Sequence, residues 1–322
     1  MKNENSLKEG IVIKSTGSWY TVKADDNECF ECKIKGKFRL KGIKTTNPLA
    51  VGDRVHFKLQ NSSSDESGEQ IGIISKITPR KNYIIRKSSN LSKQAHIIAA
   101  NIDQAFLVVT VAFPVTTATF IDRFLVSAEA YRIPVRLVFN KIDRYDEDQQ
   151  RQLDELIELY ESIGYTCYKT SVKENIGVDK VSDAMKGKVN VFAGHSGVGK
   201  SSFINTIDPN LDIKTKEISD YHNQGVHTTT FSQMHEVANG SYIIDTPGIR
   251  GFGVIDMEKE EISHYFPEMF EKLEECQFNN CTHTHEPNCA IKTAVENGEI
   301  SFSRYNSYLG LLEGDEDKHR LK

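Results

Sequence analysis

Val189-Asn190-Val191-Phe192-Ala193-Gly194-His195-Ser196-Gly197-Val198-Gly199-Lys200-Ser201-Ser202-Phe203-Ile204 reads as an apolar strand, a glycine-rich turn and the apolar start of a helix. The turn fits G-x-x-x-x-G-K-[ST] at every specified position, and the strand before it and helix after it make the match informative. Glycines let successive backbone N–H groups curl around phosphate oxygens, and the helix N-terminus adds positive potential. Lys200 is placed to reach the terminal phosphates and to act in catalysis, and the Ser201 hydroxyl to hold Mg²⁺. The expected phosphate contacts are therefore Gly194, His195, Ser196, Gly197, Val198, Gly199, Lys200, Ser201 and Ser202, with His195 a filler within the loop.

Upstream of this loop lies Asn140-Lys141-Ile142-Asp143, directly after the apolar stretch Val135 to Phe139. That is the C-terminal end of a strand, where doubly wound sheets bind ligands. A carboxylate at Asp143 can accept both the N1–H and N2–H₂ donors of guanine, which adenine does not present. Asn140 would support the base edge, and the Lys141 stem would pack on the base plane. Thr170-Ser171-Val172 follows the next strand, where Ser171 and the Val172 backbone would complete the base pocket. GTPases ordinarily carry the phosphate loop before the guanine motif. Here the order is reversed, so the chain reads as a circularly permuted P-loop GTPase domain.

Downstream, Asp245-Thr246-Pro247-Gly248 matches D-x-x-G, in which Asp245 would hold Mg²⁺ through water and the Gly248 N–H would sense the γ-phosphate. Between loop and D-x-x-G lies Gly225-Val226-His227-Thr228-Thr229-Thr230, where Thr229, or Thr228 as its alternative, would complete the Mg²⁺ shell. Many GTPases orient the attacking water with a glutamine directly after the D-x-x-G glycine. This chain has Ile249 there, which cannot polarise water, so slow intrinsic hydrolysis is expected, with His227 as the candidate substitute and Arg250 a further source of positive charge.

Cys276-x₄-Cys281-x-His283-x₅-Cys289 offers three thiolates and one imidazole, enough to close a tetrahedral structural Zn²⁺ site with no position left for water. His285 is a rival ligand that reads better as support or surface. Cys29-Phe30-Glu31-Cys32 is nominally C-x-x-C but lies on a strand-like segment with no partner pair, so ordinary strand residues are expected there.

The flanks of the α/β segment differ in texture. Residues 1–90 hold short alternating segments such as Gly10 to Lys14, Trp19 to Val22, Phe30 to Ile34 and Arg54 to Leu59, separated by turn-forming stretches. About five such strands predict an all-β OB-type barrel, an architecture that commonly binds oligonucleotides. Residues 93–254 alternate strands with helices and form the permuted GTPase domain, and residues 255–322 become acidic and mostly helical around the cysteines. The net charge of −5 is uneven: residues 1–93 carry 18 Lys and Arg against 10 Asp and Glu. Lys33, Lys35, Lys37, Arg39, Lys41 and Lys44 are the densest part of that surplus and suit a nucleic-acid partner. No apolar run approaches the roughly 18 residues that span a bilayer, and the first residues lead into no signal-peptide core. A cytoplasmic monomer without membrane attachment is expected.

The permuted motif order, the basic barrel and the cysteine cluster together resemble the RsgA family of small-ribosomal-subunit-dependent GTPases, from about Glu9 to Leu312. The family's G-x-H-T-T is matched by Gly225 to Thr229, and its C-x-H-x-x-E-P-x-C by Cys281 to Cys289 with Glu286 and Pro287. Val172 departs from the usual alanine, whereas Ile249 agrees with the family's hydrophobic replacement of the glutamine. The resemblance implies a late maturation factor that binds the small subunit through rRNA, hydrolyses GTP when stimulated by that subunit, and then leaves. Rival readings are a GTP-gated RNA-binding factor whose hydrolysis is incidental, and a P-loop ATPase or kinase acting on a small molecule. Because Gly251-Phe252-Gly253 joins the D-x-x-G element to the cysteine-bearing segment, nucleotide state is expected to couple to that segment's grip on RNA.

Overall fold

The computed structural model describes residues 7–34, 48–61, 70–87, 95–211, 233–245 and 257–314. Lys35 to Lys44 of the basic run, Gly225 to Thr230 with His227, Thr228 and Thr229, and Gly248 to Gly253 with Ile249 and Arg250 lie outside the described residues. The chain divides into two compact units: Met1–Ala105 with Val181–Phe192 and Ile204–Arg250, and Phe106–Lys180 with Ala193–Phe203 and Gly251–Lys322.

In chain order the strands of the first half are β1 (Lys8–Ser15), β2 (Tyr20–Ala24), β3 (Cys29–Ile34), β4 (Arg54–Asn61), β5 (Gln70–Ile77), β6 (Tyr83–Lys87), β7 (Ala95–Ala100) and β8 (Gln104–Val109). There follow α1 (Ala118–Ala130), β9 (Val135–Phe139), α2 (Glu147–Ile163), β10 (Thr166–Lys169), α3 (Val178–Met185), β11 (Val189–Ala193) and α4 (Lys200–Ile207). The last elements are β12 (Gln233–Glu236), β13 (Tyr242–Asp245), α5 (Pro267–Phe270), α6 (Ala290–Glu296) and α7 (Phe302–Glu313).

The expected barrel is present in the first unit. Its strands run β1-β2-β3-β5-β4 and close by an antiparallel β4–β1 pairing. Only β3–β5 is parallel, as an OB-type path requires. Alternation on β2 sends Tyr20, Val22 and Ala24 inward onto Val12, Cys32, Val55, Phe57 and Ile74. Gly72 is obligatory here, because a Cβ on it would stand 2.3 Å from the Cys32 sulfur and 2.9 Å from the Phe57 ring. Cys32 is a core residue, its thiol pushed up to about 12 by burial, while Cys29 is exposed. The pair thus faces opposite sides of one strand, as expected for ordinary strand residues. In the same unit β12 and β13 form an antiparallel hairpin, and β13 also pairs in parallel with β11.

In the second unit β9 and β10 pair in parallel, with α1 and α2 beside them in sequence. Local signals set the bounds of α2. Asp146 and Gln149 form a reciprocal capping box at its start, and Gly164 stops it in the left-handed conformation at φ 107°. The C-terminal segment is built from short 3₁₀ turns and helices α5 to α7 around Ile262, Phe266, Met269, Ile291, Ile300, Tyr308 and Leu312, with Val126 of α1 in the same core.

One charge in that core was not legible in sequence. Arg304 of α7 is fully buried; its Nη1 donates to Asp122 of α1 at 2.7 Å and its Nε to Glu268 at 2.6 Å. Tyr160 of α2 donates to the same Asp122 oxygen at 2.9 Å. Truncating one partner of such a pair strands the other, which costs about 3–5 kcal/mol. Arg304→Met is therefore expected to lower stability by about that amount in urea unfolding at neutral pH. Burial raises the Asp122 carboxyl and the Arg304 charge opposes that rise, so removing Arg304 raises it further. A carboxyl raised in the folded state loses stability as pH rises, so the deficit of the variant must shrink on acidification. A loss under 1 kcal/mol at neutral pH would mean that the clamp contributes nothing.

Candidate nucleotide site and metal centre

The guanine motif and the phosphate loop lie in the same unit and are tied together directly. Asn140 is buried, and its Nδ2 donates to the Val198 carbonyl at 2.9 Å while its Oδ1 accepts from Thr170 at 3.2 Å. Lys141 takes the left-handed conformation at φ 65° and its Nζ donates to the carbonyls of Gly197 and Phe113, each at 2.6 Å. Burial and the neighbouring Arg144 lower the Lys141 ammonium from its usual value. The loop glycines make this approach possible. Gly199 sits at φ 102° where a Cβ would meet Asn140 Nδ2 at 2.6 Å, and Gly194 at φ 137° where a Cβ would meet the Val108 carbonyl at 2.1 Å.

Asp143 is exposed on a 3₁₀ turn beginning at Ile142, and Ser171 Oγ donates to its Oδ1 at 2.5 Å. Ser171 also accepts from the Glu174 N–H, and its backbone exchanges both hydrogen bonds with Ile176, so the hydroxyl that aims Asp143 is itself fixed. Val172 is half-buried in this turn. The Ile142 N–H donates to the Thr170 carbonyl, joining the two loops. Lys200 opens α4 and donates to the carbonyls of Gly194 and His195 at 2.8 and 2.6 Å. The His195 ring lies 3.7 Å, centroid to centroid, from Phe120 of α1. Burial, and then Lys200, lower its pKa, which keeps the imidazole neutral. Ser196 and Gly197 are exposed, and Ser201 and Ser202 follow on the first turn of α4.

Two supports were missed in the sequence. The Tyr145 hydroxyl donates to the Asn140 carbonyl at 2.6 Å and accepts from the Val111 N–H at 2.9 Å, bracing the guanine loop from behind. The Phe113 carbonyl holds Lys141 from a segment with no motif of its own. A tyrosine two residues past a guanine-type aspartate was the one available signal. Asp245 ends β13 in the first unit, as its strand-end motif predicts. Its side chain lies outside the described residues.

Cys276, Cys281, His283 and Cys289 converge, with their four ligand atoms within 4.8 Å of one another. His283 Nδ1 stands 3.4 Å from the Cys289 sulfur and 3.7 Å from that of Cys276. Tetrahedral Zn²⁺ with bonds of about 2.3 Å to sulfur and about 2.0 Å to nitrogen requires S···N edges of about 3.5 Å, so the donor set fits. His283 is buried at φ 56°, a left-handed turn that brings its ring back toward the thiols. Glu286 shapes this knuckle by accepting from the Thr282 and Thr284 N–H groups and the Thr282 hydroxyl. Those hydrogen bonds outweigh its desolvation and hold its carboxyl down at about 2. Tyr305 and Tyr308 of α7 donate to the carbonyls of His283 and Thr282 at 2.6 and 2.7 Å. His285 is exposed and outside the cluster, as expected.

Residues 77–255 match the model of the RsgA GTPase family, and residues 9–65 that of the RsgA N-terminal domain. Small ribosomal subunit biogenesis GTPase RsgA 2 of Bacteroides thetaiotaomicron is 60% identical over 96% of this chain and 97% of its own length. The RsgA of Flavobacterium johnsoniae is 56% identical over 97% and 94%. Among solved structures, YjeQ from Thermotoga maritima superposes with a TM-score of 0.76 at 38% identity, covering 96% of this chain and 98% of that one. YloQ, described as a circularly permuted GTPase, gives 0.74 at 30% identity over 98% and 96%.

Proposed function

The chain belongs to the RsgA GTPase family, and from that premise we infer that it hydrolyses GTP to GDP and phosphate in the biogenesis of the small ribosomal subunit. The observation that carries the nucleotide half of this reading is the direct tie between two motifs far apart in sequence: Asn140 and Lys141 bond the carbonyls of Val198 and Gly197. A base bound at Asp143 and phosphates bound at residues 194–202 would then be read by one connected element. In this reading Asn140, Lys141, Ile142, Asp143, Ser171 and Val172 hold guanine, residues 194–202 hold the phosphates, and Ser201, Thr229 and Asp245 hold Mg²⁺. His227 orients the attacking water, Gly248 senses the γ-phosphate, and Lys200 stabilises charge on the transferred phosphoryl group. Cys276, Cys281, His283 and Cys289 hold one structural Zn²⁺.

The partner is the small subunit and its rRNA. Supporting this is the basic character of residues 1–93, together with the Lys33 ammonium 3.9 Å from the centroid of Trp19, the chain's one tryptophan, on the barrel. Such a cation-backed ring suits stacked bases next to phosphates. The protein binds in the GTP state, and subunit-stimulated hydrolysis releases it.

GTP turnover measured with and without purified small subunits tests this reading. We expect slow intrinsic turnover and at least a tenfold stimulation, which His227→Ala abolishes while GTP affinity stays within twofold. Unstimulated turnover would point to an unrelated GTPase, and full stimulation of the variant would remove His227 from the mechanism. Normal subunit release by Lys200→Ala would leave hydrolysis incidental.

A further inference from the structure

Within the first unit, the β12–β13 hairpin joins the two nucleotide-sensing stretches: residues 225–230 precede Gln233, and the D-x-x-G motif starts at Asp245, where β13 ends. The barrel holds this hairpin at both of its ends. At one end Lys14 of β1 pairs with Gln233, which in turn pairs with Asp245. Asp245 therefore lies two strand spacings, about 10 Å, from barrel strand β1. At the other end the Lys23 ammonium of β2 donates to the Glu236 carboxylate at 2.5 Å and to the Tyr242 hydroxyl at 3.3 Å, and it stands 5.6 Å from the Tyr242 ring centroid. Glu236 and Tyr242 are register partners, so one cation spans the last rung of the hairpin.

The two attachments are three residues apart along β12, about 10 Å. One attachment leaves a hairpin free to pivot, whereas two fix its direction. The Lys23 side chain is 13% exposed and that of Glu236 55%, so the clamp is partly screened and its net stabilisation is modest. That suits a contact that transmits orientation better than one that holds the fold together. The far strand, β13, is in turn held by β11, whose Asn190 Nδ2 donates to the Tyr242 carbonyl at 3.1 Å, and β11 leads in sequence into Gly194.

We propose that the Lys23–Glu236–Tyr242 rung couples the barrel to the nucleotide switch, so that a ligand seated on the barrel alters the setting of Asp245 and of the stretch before Gln233. This rests on the function proposed above, with the barrel as the RNA-binding part. Coupling of binding is reciprocal: nucleotide state must alter the barrel's affinity for its ligand by the factor by which that ligand alters nucleotide affinity.

Lys23→Met, Glu236→Gln and the exchange Lys23→Glu with Glu236→Lys provide the test. In the wild type, hydrogen exchange over residues 8–24 should differ between GDP and a non-hydrolysable GTP analogue. Lys23→Met and Glu236→Gln should erase that difference and lower subunit stimulation at least fivefold, within the range of ordinary coupling energies. Intrinsic turnover and GTP affinity should stay within twofold, and the charge exchange should restore part of both responses, which simple damage to the fold would not allow. If Lys23→Met keeps both the exchange difference and the stimulation, the rung is no coupling element. A fall in intrinsic turnover as large as the fall in stimulation would also overturn the proposal. Failure of the parent reading looks different: wild-type turnover ignores small subunits while residues 8–24 still respond to nucleotide.

Discussion

Removing zinc is expected to unfold the knuckle formed by residues 276–289 and to loosen α6 and α7 behind it. Three of the four candidate ligands enter the same hydrophobic core as Ile291, Ala294 and Tyr308, so a metal held there would be part of the packing and not an appendage. Without a cation the cluster holds its thiols in the neutral form. Burial, and then the neighbouring Cys289, push the Cys281 thiol up to about 12, and burial raises Cys289 as well. At neutral pH those thiols stay protonated until a metal displaces the protons, which means that metal binding releases protons and weakens as pH falls. In small zinc modules the apparent binding energy is about 10–16 kcal/mol and becomes folding energy. Here the surrounding apolar core retains part of the structure, so a smaller loss, on the order of several kcal/mol, is expected for the segment.

The measurement is zinc content per chain together with hydrogen exchange across residues 257–314 before and after a strong chelator. About one zinc per chain, and protection of residues 276–296 lost on chelation, is the expected pair of results. Cys281→Ser should reproduce the loss without chelator. Zinc-free protein with unchanged protection would sink the assignment. Guanine-nucleotide affinity serves as an internal control, since residues 140–143 and 194–202 use none of these ligands.

The same contrast explains what the sequence could and could not disclose. Gly194, Gly199, Asp146 and Gly164 were readable because each answers a local demand: a left-handed turn, a close approach or a helix end. The convergence of Cys276, Cys281, His283 and Cys289 was readable because three of the four fall within nine residues. Arg304 was not. On an amphipathic stretch an arginine reads as solvated surface, and its partners Glu268 and Asp122 lie 36 and 182 residues away. Strand β12 was also missed. Gln233-Met234-His235-Glu236 buries only Met234, and its strand character comes from pairing with β1 and β13, which no local pattern announces. Strand β5, by contrast, is rich in isoleucine but is preceded in sequence by the polar stretch Ser62 to Glu69, which carries no strand pattern. Val172, the departure from family pattern, changes nothing in the turn's hydrogen bonds, because Ser171 and Ile176 close it through their backbones.

Asp143→Asn should reverse the choice of base. In the native loop Ser171 donates to Oδ1 of Asp143 and the carboxylate remains exposed, an acceptor-only group held in one orientation. Guanine offers two donors on one edge, N1–H and N2–H₂, and a carboxylate satisfies both. An amide presents one acceptor and one NH₂ group, so one guanine donor meets another donor. The loss combines a charge-assisted hydrogen bond, about 1.5–3 kcal/mol, with a stranded polar group, about 1–3 kcal/mol. GTP affinity should therefore fall about 10²–10⁴-fold, every 1.4 kcal/mol being a factor of ten. Xanthine carries a carbonyl where guanine carries N2–H₂, and that oxygen accepts from the new amide while N1–H meets the amide oxygen. Xanthosine triphosphate should accordingly bind the variant more tightly than GTP, the inverse of the wild-type order. Hydrolysis with xanthosine triphosphate should persist, because the substitution leaves residues 194–202 and His227 unchanged in sequence. Competition binding with GTP, ATP and xanthosine triphosphate separates the outcomes: GTP affinity unchanged within threefold would show that Asp143 does not face the base, and preference for ATP by the wild type would refute the guanine assignment for the whole loop.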